Sequence, residues 1–322
     1  MLIKNISRIS KKIFHTGEVP LFPRVQNPEE ASDIIFNTLS SENPCMIARY
    51  GATELMCIIN YLGVKKGRPN LIRYLLGMEE DWWWRESSLK QIEQWSGFFP
   101  ANIPNVEAFC ELMLNDSQYV DILVSWLKEE YKLKDYLYAK SFIQGLFLDP
   151  FWSKKPWTRA LQNKKVLVVH PFAESIEIQY KFNREHLFND PNILPKFQLK
   201  TIKAIQSLGG INKEFDNWFT ALDYMKKEID KCDYDICLIG CGAYGFPLAA
   251  HVKRMNKKAI HMGGSLQLLF GIIGKRWEDP EYGYIELKKK GCYPQLINKY
   301  WIRPGMKEKP QNAIQVESGC YW

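Results

Sequence analysis

The 322-residue sequence predicts an α/β protein built on a mostly parallel, doubly wound sheet, and three observations predict it. Short apolar runs alternate with helical patterns at 44–63 and again from 164 to 264. Two strand ends run into glycine turns, at Gly51 and at Gly240, Gly242 and Gly245, the last three spelling G-x-G-x-x-G. Between them, residues 67–160 lose the alternation and carry helical patterning with the aromatic clusters "DWWW", "QWSGFFP" and "FLDPFWSKKPW". A Rossmann-like sheet with a helical, aromatic-rich insertion accounts for all three.

The elements follow in order. Residues 1–20 open with Leu2, Ile6, Ile9 and Ile13 set against Lys4, Arg8, Lys11 and Lys12, a basic amphipathic helix. It fits either packing on the domain or resting on anionic lipid. Residues 21–66 form the first part of the α/β domain. After a proline-punctuated connector come a helix over "EEASDIIFNTLSS", a buried strand "PCMIARYG", and a helix "ATELMCIINYLG" with Leu55, Ile58, Ile59 and Leu62 on one face. Residues 67–160 are the insertion. Residues 161–280 resume the rhythm: strand "KKVLVVHP", helix "AESIEIQYKFNREHLF", strand "FQLKTIKAI", helix "WFTALDYMKKEIDKC", strand "YDICLIG", a helix over 246–256 and strand "KKAIHMGG". Residues 281–322 are a loop-rich tail packing back on the domain.

Composition narrows the function classes. A net charge of +7 suits an anionic small molecule or an acidic membrane face, and no basic tract interleaved with aromatics points to nucleic acid. The eight cysteines show no C-x-x-C pair, and Cys237 and Cys241 stand C-x-x-x-C without a second ligand pair, so a reducing compartment and no structural zinc are expected. No apolar run approaches the ~20 residues of a membrane span. Absence of G-x-S-x-G, H-E-x-x-H and Walker A motifs lowers the hydrolase, zincin and P-loop classes.

In open α/β sheets, ligands bind at the carboxyl ends of the strands. Four such ends carry unusual residues, at 48–54, 168–175, 239–245 and 260–265. Glycines 240, 242 and 245, with Ala243 and Tyr244 between them, let backbone N–H groups approach a phosphate at the next helix. The nicotinamide version of this fingerprint needs an acid at the end of the following strand, which here ends in His261 before Gly263. A different phosphate ligand or a structural turn fits as well. Arg49 and Glu54 flank the Gly51 turn. An arginine there can hold a diphosphate, and a glutamate can meet a metal or act as a base. An Arg–Glu ion pair closing the turn is the structural alternative. His170 and His261 end strands and are candidates to bond a phosphate or take a proton, or are simply bonded to neighbouring backbone. Lys275 and Arg276 are a candidate phosphate clamp or a solvated pair.

"MIARYGATE" resembles the R-[FY]-G-x-x-E turn of bacterial GT-D-type glycosyltransferases, and "YDICLIGCGAYGFPLAAHVKRMNKKAIHMGG" resembles their second signature. "VLVVHPFAESIEIQY", "LKTIKAIQSL" and "LQLLFGIIGKRW" are similar to a subgroup found among surface-polysaccharide biosynthesis proteins. The resemblance covers 45–60 and 164–280. It implies a GT-D-like fold and transfer of a sugar from a nucleotide-diphosphate donor to a glycan or lipid-linked acceptor, in the cytoplasm or at the inner membrane face, with no nucleic-acid partner. The diphosphate would lie on 240–245 with Lys275 and Arg276, Arg49 near the leaving phosphate, and Glu54 or His170 as base. Tyr244, Trp95 and the tryptophans at 82–84 are candidates to stack on base or sugar. Better-known members carry a D-x-E pair tied to Mn2+ or Mg2+. Ala52 replaces that aspartate here, and Glu54 alone is a poor cage. An NAD(P)- or FAD-dependent oxidoreductase, and a non-catalytic nucleotide-sugar-binding protein of this fold, are the competing classes.

Overall fold

The computed structural model describes residues 19–76, 78–207, 212, 214–309 and 319–322. The basic amphipathic pattern over residues 2–13 lies outside them.

Seven strands form one sheet: β1 Cys45–Ala48, β2 Ile122–Ser125, β3 Ser141–Gln144, β4 Lys165–His170, β5 Gln198–Lys203, β6 Ile236–Ile239 and β7 Lys258–His261. Their order is β3-β2-β1-β7-β6-β4-β5, and every pairing is parallel. The first three strands march outward from the centre, β4 and β5 found the other half, and β6 and β7 fill back toward β1. The sheet is α/β and doubly wound, as the alternating pattern predicts.

Side-chain alternation along each strand divides the core in two. Met46, Ala48, Leu123, Leu167, Val169, Cys237, Ile239 and Ala259 face one layer. Cys45, Ile47, Ile122, Val124, Val166, Val168, Ile236, Leu238 and Ile260 face the other. Because both faces are covered, the strands read as continuous apolar runs. The helices α1 Pro28–Ser40 and α5 Ala173–Asn183 cover the second face. Helices α2 Ala52–Lys66, α3 Glu86–Ser96, α4 Ile103–Ser117, α6 Trp218–Asp230 and α7 Gly245–Arg254 cover the first. Asparagine caps fix several starts: the Asn27 side chain accepts from Glu29 N at 2.9 Å, that of Asn102 from Asn105 N at 3.0 Å and that of Asn217 from Thr220 N at 3.0 Å.

Residues 67–160 depart from the sequence expectation in their second half. Helices run to Ser117, but β2 and β3 then rejoin the sheet and form its far edge. "ILVS" is buried at all four positions and "SFIQ" is equally short, so neither offers a period-2 signal. A short segment adds to this edge: Val25 bridges Ile143 in parallel, with Val25 N bonded to Phe142 O at 2.9 Å.

The tail packs back through one buried carboxylate. Glu308 accepts from the N–H groups of Glu174 and Ser175 at 2.9 and 3.2 Å, and from the Ser175 hydroxyl. It thereby fills the N-terminus of α5 with a negative charge, where the helix dipole favours one. Among the described residues no helix is long and apolar enough to cross a membrane.

Candidate active site

Parallel strands bring all their carboxyl ends to one edge, and there a cavity of about 560 Å3 opens. That is within the roughly 300–1,000 Å3 of small-molecule sites. Arg49, Gly51, Glu54, His170, Gly240, Gly242, Ala243, Tyr244, His261, Gly263 and Arg276 all line it. Two expected residues do not. Lys275 lies outside the wall, because the 275–278 turn aims Arg276 and Trp277 inward instead. Gly245 also stands behind the wall. A Cβ there would run into the His261 ring, so its small size serves helix packing.

The turn after β6 is shaped by backbone. Gly242 sits at φ +56°, in the left-handed region. Among the described residues no acceptor takes the N–H of Gly242 or Ala243. The Gly242–Tyr244 turn feeds directly into α7, so these donors and the helix dipole point at the cavity. Beside them His261 Nδ1 is buried with no hydrogen-bond partner. Of the other helix starts on this edge, those of the two long helices are already filled. Glu308 occupies that of α5, and Glu54 folds back over the start of α2.

Gly51 is the N-cap of α2 and Glu54 its third residue. A Cβ at Gly51 would collide with the Glu54 carboxylate, which is why the spacing is Gly-x-x-Glu. Glu54 accepts from its own N–H and from Ser96, and burial raises its pKa above the ordinary carboxylate value, against the nearby charge of Arg49. No Arg49–Glu54 salt bridge closes the turn among the described residues. Arg49 instead lies over the Trp126 ring at 4.8 Å, and Trp126 Nε1 donates to Tyr50 O at 2.9 Å. Tyr50 stacks on Phe246 at 4.8 Å, which locks the Arg49–Glu54 turn to the first turn of α7.

His170 is a poor base. Its Nδ1 accepts from Phe172 N at 3.0 Å, and burial lowers its pKa to about 3. His261 is likewise held down to about 3, by burial and by Arg49. Both imidazoles are therefore neutral in the folded protein. An unfolded histidine takes a proton near pH 6.5 and a folded one does not, so each costs stability as pH falls from 6.5 toward 3. Buried carboxyls with raised pKa act in the opposite sense, so the measurement is a comparison. His170→Asn keeps an acceptor for Phe172 N but binds no proton. Its unfolding free energy is expected to fall less than the wild type's between pH 6.5 and 4.5, by roughly 2–3 kcal/mol for two pH units. Parallel slopes in urea denaturation at the two pH values would refute the buried neutral state.

The aromatic expectations sort unevenly. Trp95 lines the cavity and is half exposed. Tyr244 is committed to the core, its ring on Trp218 at 5.0 Å and its hydroxyl bonded to Ser207 at 2.9 Å, so it offers no face for stacking. Trp82 and Trp83 pack edge-on against Tyr74, and Trp84 stacks on Tyr61, away from the cavity. Several wall residues carried no sequence signal: Trp126 follows one strand that read as helix and Gln144 ends another, Arg24 sits in the connector, and Tyr321 lies in the tail. Arg276 is tied to that tail, its N–H bonded to Cys320 O at 3.0 Å and its guanidinium over the Tyr321 ring at 5.0 Å.

Metal-cage chemistry does not fit these side chains. Ala52 has no donor atom, and among the described residues no three of His, Cys, Asp and Glu gather to hold an ion. All eight cysteines are free thiols.

Two solved structures are similar to the chain over nearly its whole length. One is described as a selenomethionine-substituted structure of domain of unknown function 1792, with 13% identity and a TM-score of 0.41. The other is described as showing that the highly conserved domain of unknown function 1792 has a distinct glycosyltransferase fold, with 12% identity and a TM-score of 0.41. Each alignment covers 95% of this chain and 95% of the other. No family model matches the chain, and no curated protein matches it. What the site can do is decided by its own residues.

Proposed function

We propose that the protein is a glycosyltransferase that moves a sugar from a nucleotide-diphosphate donor to a hydroxyl of a glycan or lipid-linked acceptor, in bacterial surface-polysaccharide synthesis. The observation that carries this reading is the state of the starts of the three long helices that begin on the cavity edge. Those of α2 and α5 are neutralised by Glu54 and Glu308, and that of α7 presents unspent N–H groups beside an unpaired histidine nitrogen. An anionic ligand group completes that third start. The strand after it ends in His261, with no acid for ribose hydroxyls, which argues against a nicotinamide or flavin dinucleotide.

In this reading the diphosphate rests on Gly242 and Ala243, with Arg276 of the same cavity as a counter-charge. Arg49, on the cavity wall beside Gly263, would stand where the bond between sugar carbon and phosphate oxygen breaks. Its charge and the α7 dipole stabilise the departing nucleoside diphosphate, and they do so without reorganisation. Glu54 takes the proton from the acceptor hydroxyl as that oxygen bonds to the sugar carbon. A buried carboxylate with raised pKa is a stronger base than an exposed one. The basic residues at 2–13 would seat the protein against the inner face of the membrane, beside a lipid-linked acceptor. No step is assigned to a metal ion.

The test is a thermal-shift and calorimetric screen against nucleoside diphosphates, nucleotide sugars, NADH and FAD, run with EDTA and again with Mn2+. Micromolar binding of at least one nucleotide sugar is expected, with binding retained in EDTA. Binding of NADH or FAD alone would replace this function with redox chemistry.

A further inference from the structure

The end of the cavity away from the 240–245 turn carries its own recognition chemistry. This end is bounded by Arg24, Trp126, Gln144 and Leu146, around the carboxyl ends of β2 and β3. β2 stands three strands from β6, which is about 14 Å at ~4.8 Å per strand. A single phosphate on the 240–245 turn cannot also touch Arg24.

Arg24 is placed deliberately. The Val25–Ile143 bridge holds its backbone to the sheet edge, and Gln144 N closes onto Val25 O at 3.1 Å. Its Nη1 donates to Ser125 O at 2.8 Å, which draws the guanidinium to the end of β2. The Nε stays buried with no partner. No carboxylate pairs with Arg24 or Arg49 among the described residues, and Arg49 borders the same end through its contact with Trp126. The Trp126 ring is 37% exposed, enough to offer a surface to a sugar ring. Gln144 spends its side-chain oxygen on Leu146 N at 2.8 Å, which leaves its amide N–H2 as a donor on the wall. Two carboxylates stand near this end: Glu286 on the rim, which is solvent-exposed, and Glu130, buried behind Trp126 and accepting from Trp126 N and Leu127 N at 3.3 Å.

We propose that the β2–β3 end is the acceptor subsite and that it takes a sugar bearing an oxyanion, a carboxylate or a phosphate, with Arg24 as the residue that recognises the charge. A guanidinium fork with a desolvated Nε suits such a group, and the neighbouring tryptophan and amide suit the ring that carries it. This deepens the transferase reading and rests on it for the word acceptor, but the binding chemistry stands by itself.

The experiment follows the Trp126 indole N–H and the Gly242 amide by NMR in the full-length protein. The titrants are D-glucuronate, glucose 1-phosphate, glucose and UDP, and the indole is assigned through Trp126→Phe. One or both acidic sugars should shift the Trp126 signal at concentrations at least tenfold below glucose, and which of them does so identifies the anion. Arg24→Met should reduce that preference to within twofold, Arg24→Lys should retain part of it, and Gly242→Asp should leave it intact. Equal responses to glucose and both acids, an unchanged preference in Arg24→Met, or shifts confined to Gly242 would overturn the subsite. UDP reports on the other reading separately. If UDP leaves Gly242 unmoved while the Arg24-dependent preference persists, nucleotide-sugar transfer falls and the anionic-sugar site remains.

Discussion

Glu54→Gln is expected to slow sugar transfer by about 10²–10⁴-fold, the range typical of losing a positioned general base. Glutamine matches the carboxylate in shape and keeps an oxygen to accept from the residue's own N–H and from Ser96. What it loses is the ability to take a proton. Binding of nucleoside diphosphate, centred on the α7 start, should therefore change by less than about threefold. Single-turnover rates and calorimetry on the same preparation separate the two effects. A rate within tenfold of wild type would remove Glu54 from the proton path. A combined loss of rate and binding would show a structural role for the turn instead.

The second large effect is expected at Gly242. Space is not the constraint there, because the nearest atom to an added Cβ is Ser96 O at 3.4 Å. The constraint is φ +56°, which asparagine and aspartate tolerate better than other side chains. Gly242→Asn and Gly242→Asp are thus close to matched in backbone cost and differ in charge. Two unit charges ~4 Å apart interact by about 4 kcal/mol at an effective dielectric of 20. Gly242→Asp should weaken nucleoside-diphosphate binding by on the order of 100-fold or more, and Gly242→Asn by less than tenfold. Equal effects would mean that the turn is merely conformational. Wild-type affinity in both would place the diphosphate elsewhere.

Much of this architecture was legible in the residues. The glycine turns at 51 and 240–245 mark strand ends, and the apolar runs of β1, β4, β6 and β7 stand out because both faces of each are buried. The strand and helix order from 164 to 264 matches the structure closely, with the helix after β4 ending at Asn183 rather than running to 188. The far half of the sheet was hidden because β2 and β3 run into the 3-10 turns Lys128–Tyr136 and Gly145–Leu148 rather than into long amphipathic helices, so no strand–helix rhythm marks them. Missing them meant missing Trp126 and Gln144, whose place on the cavity wall depends on lying at strand ends. Arg24 and Tyr321 were invisible for another reason: a connector and a tail reach the site only through long-range contacts that no local pattern encodes. The state of a side chain was equally unreadable. His170 reads as a candidate base until Phe172 N is seen to occupy its Nδ1, and Tyr244 as a stacking surface until Trp218 covers it.

The central position of β1 bears on how the chain is made. Cys45–Ala48 pairs with Lys258–His261 on one side and with Ile122–Leu123 on the other. Synthesis at ~5–20 residues per second delivers β7 some 10–40 s after β1 has left the ribosome. Throughout that interval the edge that will receive β7 has no partner, and the nascent sheet exposes an apolar strand. The middle of this sheet is closed last, so its assembly is a late, non-local event.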